Sequence, residues 1–307
     1  MSNVGLYLLC VLIWGTNWFA ITFQLGKVSP EVSVAYRFAL AAVVLLSYAL
    51  LRGLNLRFSI RDYIWIAVQG FLLFSLTFLC IYLAEESVSS GLVATAFSFV
   101  VFLNMFGMRM FFNTPLRIPA LLGATFGVIG VALIFAPAIE SMSGQRDPVL
   151  GLTFALGAAL SAALGNMVAI RNYVKGIPVV QVNGLGMLYG ALFIAAYAML
   201  KGTPFVFDWS FNYVSSLFYL AVVGSIIAFG AYLTLITRIG ADKAGFVGVA
   251  VPVVALLVST LFESLQWEPV TFIGLACCLL GNLLVLGRGS SVATTTKLRE
   301  SRPSIRL

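Results

Sequence analysis

The chain has 307 residues, 61% of them hydrophobic and only 9% charged, with a mean hydropathy of +1.04. A soluble domain carries about 25% charged residues, so this composition excludes a water-covered globule and leaves lipid as the main solvent. The net charge of +7 reads as basic cytoplasmic loops rather than as a nucleic-acid surface.

Apolar runs of about 20 residues predict ten spans in chain order: 3–24, 31–51, 63–84, 88–108, 118–137, 149–170, 178–200, 213–236, 243–262 and 270–287. The first lacks a basic n-region and is too long for a signal peptide, so it reads as a helix that stays. Connections are short, and the tail 289–307 is polar, basic and expected to be disordered. The predicted class is an all-α polytopic membrane protein.

Charge sets the orientation. With the amino terminus cytoplasmic, fourteen of the 18 cations fall inside: Arg52, Arg57, Arg61, Arg109, Arg117, Arg171, Lys175, Arg238, Lys243 and Arg288, with Lys297, Arg299, Arg302 and Arg306 of the tail. Lys27, Arg146 and Lys201 fall outside, and Arg37 lies within a span. Most acids, including Glu31, Glu85, Glu86 and Glu263, fall outside. Both termini are therefore expected on the cytoplasmic face of a cell (inner) membrane.

Landmarks in the first half recur about 150 residues later. Gly15 matches Gly165, Pro30 matches Pro178, Ser90-Gly91 matches Ala244-Gly245, and Gly123 with Gly130 matches Gly274 with Gly281. Hydropathy repeats while charge inverts, because five helices return the chain to the opposite face. The expectation is two inverted five-helix repeats, 1–140 and 141–288. Such repeats build secondary transporters with a site near the bilayer midplane.

On these residues the chain resembles the drug/metabolite transporter superfamily, in its EamA-type ten-helix branch. The resemblance rests on Ile13-Trp14-Gly15-Thr16-Asn17, on Pro30 through Arg37-Phe38-Ala39-Leu40-Ala41, on Ala244-Gly245 through Pro252-Val253-Val254, on Leu261-Phe262-Glu263, and on Gly274 with Gly281. It implies a basket in which helices 1, 3, 4, 6, 8 and 9 line a cavity while 2, 5, 7 and 10 brace it. It also implies export or exchange of amino acids and other small metabolites. Two departures stand out. Ser98 replaces the proline that Pro252 supplies in the second half, so helix 4 is expected to bend less than helix 9. Phe112 stands where the second half has Glu263.

Candidate substrate residues follow. Asn17 and Asn166 supply amides to a polar ligand or to a neighbouring helix. Phe74, Phe78 and Tyr82 share a helix-3 face with Phe71, as an aromatic wall or a lipid-facing stripe. Thr95 and Ser98 lie on a small-residue face suited to close packing or sliding. Trp14, Trp18 and Tyr232 add aromatic surface. Arg37 reads as an anion-binding group or as a structural arginine paired with Glu31, Glu85 or Glu86. Glu85 and Glu86 are gate candidates, and Pro252 is a flex point.

Acids stand only at span ends or in loops, which argues against an embedded-glutamate mechanism for cationic drugs. Histidine is absent, removing the commonest general base and metal ligand. Cys10, Cys80, Cys277 and Cys278 lie in apolar runs and suggest no disulfide, zinc or redox motif. No cofactor or metal is expected, nor an enzyme. The partners expected are a small-molecule substrate and the lipid bilayer, with no nucleic acid, and a monomer is the working expectation. The leading reading is a secondary exporter or exchanger of a zwitterionic or neutral metabolite, an amino acid above all. Multidrug efflux, a membrane enzyme and a scaffold are the alternatives.

Overall fold

A computed structural model describes residues 1–116, 118–140, 147–239, 244, 246–265 and 267–286. Arg117, Arg146, Lys243, Gly245 and the tail 289–307 lie outside the described residues. Lipid offers the backbone no hydrogen-bonding partner, so a spanning chain must satisfy each amide within its own segment, and helices do this. Among the described residues the apolar helices are α1 (Asn3–Thr22), α2 (Pro30–Leu51), α3 (Ile60–Ser87), α4 (Ser90–Phe112), α5 (Ile118–Glu140), α6 (Pro148–Val174), α7 (Val179–Lys201), α8 (211–239), α9 (Phe246–Phe262) and α10 (Pro269–Leu286). Seven have the length and composition to cross a membrane, and the apolar stretches of α5, α9 and α10 are shorter. The protein is an all-helical polytopic membrane protein. Exposed Leu51, Met110, Leu200, Phe218, Leu261 and Phe272 have no place against water and suit acyl chains.

Several helix pairs run antiparallel. Glu31 meets Lys201 across α2 and α7, while Leu46 further along α2 lies against Gly184. In α5 and α10, Gly123 faces Gly281 and Gly130 faces Gly274, carbonyl against Cα in both directions. A Cβ on Gly130 would stand 2.6 Å from the Gly274 carbonyl oxygen, so only glycine permits this approach. Ser90 at the start of α4 meets Glu263 just past the end of α9.

α3 and α8 share a feature that hydropathy does not encode. Each widens into a π-helical segment, Phe71–Leu76 in α3 and Tyr219–Ile227 in α8. A side chain five residues on bonds the loosened carbonyl: Thr77 donates to Leu72 O at 2.7 Å and Ser225 to Leu220 O at 2.9 Å. A neighbouring helix adds another donor, with Ser161 of α6 on Leu72 O and Trp14 of α1 on Gly224 O. Such widening requires partners for displaced carbonyls, and both halves supply them in the same way.

The expected difference in bending between α4 and α9 is reversed. α9 runs unbroken through Pro252, whereas α4 is interrupted at Ser98 and Phe99. There Ser98 Oγ donates to Thr95 O at 2.6 Å. The amides of Ser98, Phe99, Val101 and Phe102 turn to carbonyls three residues back. A serine that bonds its own turn competes with the helix ladder, so the break needs no proline.

Replacing Gly130 by leucine forces α5 and α10 apart. The expected loss is about 1–3 kcal/mol from overpacking, read as a lower melting temperature of the detergent-solubilised protein. Val128→Leu, at an exposed position of α5, serves as the comparison.

Candidate functional site

The helices meet differently at their two ends. α9 packs along Ser90–Phe97 of α4, and beyond the break Val100–Phe112 packs on α6. At that far end α1, α8 and α9 share one apolar cluster around Leu6, Cys10, Leu235 and Val247. α4 and α6 share another around Met108, Phe112 and Met167, while Ile66 and Val182 join α3 to α7. Helices that are pinned together at one end thus belong to separate groups at the other.

The pin is a carboxylate on a helix terminus. Ser89, the N-cap of α4, makes no side-chain cap bond, and α9 supplies the missing acceptors. Glu263 accepts from Ser90 N at 3.2 Å and from Ser90 Oγ at 2.6 Å, and Ser259 Oγ also donates to it. Ser259 Oγ in turn accepts from Gly91 N at 2.8 Å. Free N–H groups and the helix dipole favour an anion here. Gly91 allows the approach, since its Cβ would stand 2.9 Å from Leu256 Cα.

Beside the pin lies a buried charged group from α2 and α3. Arg37 is 1% exposed, Tyr82 0% and Glu85 5%. The guanidinium sits 4.4 Å from the Phe78 ring centroid and 5.3 Å from that of Phe38. One nitrogen reaches Ser225 Oγ of α8 at 3.5 Å. Arg37 Nε and Nη1, Tyr82 Oη and both Glu85 carboxylate oxygens are buried without a hydrogen-bond partner. Glu31 is taken by Lys201 and Thr203, and Glu86 is exposed. Glu31 and Glu85, which the sequence places at span ends, are both helical and buried, because a span-end position does not fix which way a side chain faces.

Further along the α1–α8 contact, Asn17 lies against Gly224 with its carbonyl oxygen buried and unpartnered. Thr16 and Tyr219 share a hydroxyl hydrogen bond of 2.7 Å. Trp14 stands 5.1 Å from Tyr232 and 5.4 Å from Phe229, and Trp18 stands 5.3 Å from Phe97 of α4. Asn17 and Trp14 thus meet α8 at Gly224, one residue from the Arg37 contact at Ser225, while Tyr232 lies further along α8 against Trp14 and Trp18 faces α4.

The other candidates go elsewhere. Phe74 packs on Phe38 and against Gly186 and Gly190, facing α2 and α7. Phe78 is occupied by Phe38 and Arg37. Thr95 and Ser98 bond backbone carbonyls of their own helix. Asn166 donates to Asn104 of α4 at 3.1 Å, a helix-to-helix bond. Pro252 is buried within α9. Sequence reasoning missed Ser225 and did not foresee Ser90 and Ser259 as donors to Glu263; pairing the start of α4 with the end of α9 as neighbours was the available signal for those two.

At the opposite end of α3, Arg171 is also buried, although it was expected in a loop. It bonds Asp62 and Asn172, both at 2.9 Å, and Asn172 bonds Gln69 at 2.9 Å. Trp65 covers the guanidinium at 5.3 Å. Arg171→Ala removes one partner of Asp62, which keeps Ser59 and is 25% exposed, and loosens this end. The expected cost is about 1 kcal/mol, measured by unfolding in graded detergent mixtures, with Arg171→Lys losing less.

A bundle of apolar helices, widened in α3 and α8 and split into groups at one end, is the architecture of a polytopic membrane protein. Comparison with known proteins agrees. Residues 1–136 and 149–287 both match the EamA-like transporter family, and the chain belongs to that family. It is 28% identical over 251 residues to an uncharacterized inner membrane transporter, YedA, of Escherichia coli K12, covering 81% of this chain and 79% of the relative. Protein PagO of Salmonella typhimurium is 24% identical, with 82% of each chain covered. The uncharacterized transporter YoaV of Bacillus subtilis is 22% identical, over 80% of this chain and 83% of its own. A crystal structure matches with a TM-score of 0.66 and 19% identity, over 97% of this chain and 98% of that one, and shows the shared fold.

Proposed function

We propose that this membrane transporter crosses the bilayer ten times as two inverted halves, 1–140 and 141–288, with both termini cytoplasmic. It exports or exchanges a small zwitterionic or neutral metabolite, an amino acid foremost, by alternating access. One observation carries this reading: α4 and α9 are pinned at the Ser90–Glu263 end, while their other ends join separate groups of helices. Opening the pin and closing the far end would expose one site to each face in turn. Antiparallel pairing of α2 with α7, α4 with α9 and α5 with α10 supports the inverted repeat. The matching π-helical segments support it too.

In this reading cargo docks beside Asn17, whose free carbonyl oxygen accepts from an ammonium or amide group. Trp14, Trp18 and Tyr232 surround the apolar part. Arg37 belongs to the pinned end and balances charge there.

Purified protein in proteoliposomes preloaded with each of the twenty amino acids is expected to show counterflow of a subset. Asn17→Ala should lower that flux about tenfold, the effect of one lost hydrogen bond to a buried polar group at 1–3 kcal/mol. Flux of apolar organic cations with none of amino acids would replace this reading with multidrug efflux, and no flux of any small molecule would remove it.

A further inference from the structure

Two buried ionisable side chains, Arg37 and Glu85, lie beside the pin that Glu263 forms. Arg37 is a cation that proteins do not deprotonate, and it is 1% exposed. Glu263 is committed to the α4 terminus by three donors, Ser90 N, Ser90 Oγ and Ser259 Oγ. Glu85 feels both of them electrostatically, yet it is 5% exposed and neither oxygen has a donor. Among the described residues, neither Arg37 nor Glu85 forms an ion pair. An isolated carboxylate without donors is too costly to bury and takes up a proton instead.

Among the described residues, the surroundings offer Glu85 no other counter-charge. α1 has no charged side chain. On α2, Glu31 is bound to Lys201 and Thr203, leaving Arg37. α3 itself contributes Tyr82 and the exposed Glu86. α4 presents Ser90. α6 begins at Asp147, which caps its own helix on Val149 N and Leu150 N. α8 presents Ser225 and Tyr213, and α9 leads to Glu263. No donor reaches either Glu85 oxygen, the Arg37 guanidinium included, so a neutral carboxyl is the form that this low-dielectric setting favours.

We propose that Glu85 is a proton-binding site tied to the pin. With Ser90 and Gly91 held by Glu263 and Ser259, Glu85 carries one proton on a carboxyl oxygen. When α4 and α9 part, water reaches Glu85, its O–H bond breaks and the proton passes to that water. Closure takes a proton back. Each opening of this end therefore exchanges one proton with the face it opens to, which makes movement of cargo proton-linked. The inference extends the transport reading, but its chemistry requires only the pinned end.

The test uses the proton as ligand and the whole protein in lipid. Infrared difference spectra recorded across a pH titration should show a protonated carboxylic-acid carbonyl band at neutral pH. That band should be lost in Glu85→Gln, retained though displaced in Glu85→Asp, and retained in Glu263→Gln. Spin labels at Ser87→Cys and Ser264→Cys, in a background freed of the four cysteines, should move apart as pH rises. The pH response should vanish in Glu85→Gln. Absence of the band in the unsubstituted protein overturns the proposal, even if every variant fails to fold. So does a band that survives Glu85→Gln, or a label separation that ignores pH. Neither readout involves a metabolite, so absence of amino-acid flux would remove the transport reading and leave these results standing.

Discussion

A bilayer interior supplies no water to an amide, a carboxylate or a guanidinium, and the whole structure answers to that shortage. Backbone groups are satisfied inside helices. Where α3 and α8 loosen into π-helical turns, Thr77, Ser161, Ser225 and Trp14 supply the missing donors. Where helices must touch without a hydrophobic drive between them, glycine brings backbones together, as at Gly123–Gly281 and Gly130–Gly274. Polar side chains turn inward for the same reason. That concentrates them in the few places where helices meet.

Those places divide into a fixed end and a pinned end. Arg171, Asp62, Asn172 and Gln69 close on themselves with good geometry, so they hold α3 and α6 in register. The group at the other end does not close. Arg37, Tyr82 and Glu85 keep unpartnered atoms, and Glu263 is committed to the α4 terminus across a seam that must break if the helices part. A satisfied network suits a hinge that stays shut, whereas an incomplete one beside a helix seam suits a part that moves.

Much of this fold is legible in the residues. Apolar run length locates every helix to within a few positions, because hydropathy reports the solvent directly. The glycine pairs of α5 and α10 were visible as a recurrence and turn out to be the contact itself. Facing direction was not legible. Phe71, Phe74, Phe78 and Tyr82 form one stripe in sequence, but whether a stripe meets lipid, α2 or a groove depends on helix rotation. The same ambiguity concealed the burial of Glu85 and Arg171. The π-helical segments stayed hidden because their signature is a single hydroxyl five residues on. The break in α4 was misplaced because proline outranks serine as a helix breaker, yet Pro252 sits within an unbroken α9. The amide pair Asn17 and Asn166 looked equivalent, but Asn166 is spent on Asn104 while Asn17 keeps a free oxygen.

The central claim is that the Glu85–Glu263 end and the Asp62–Arg171 end lie on opposite faces of the membrane. In a cysteine-free background, single cysteines at the exposed positions Glu86 and Lys175 can be labelled with an impermeant thiol reagent in right-side-out and inverted vesicles. The account predicts that Glu86→Cys reacts from outside and Lys175→Cys only from the cytoplasmic face. Labelling of both from the same face would contradict it.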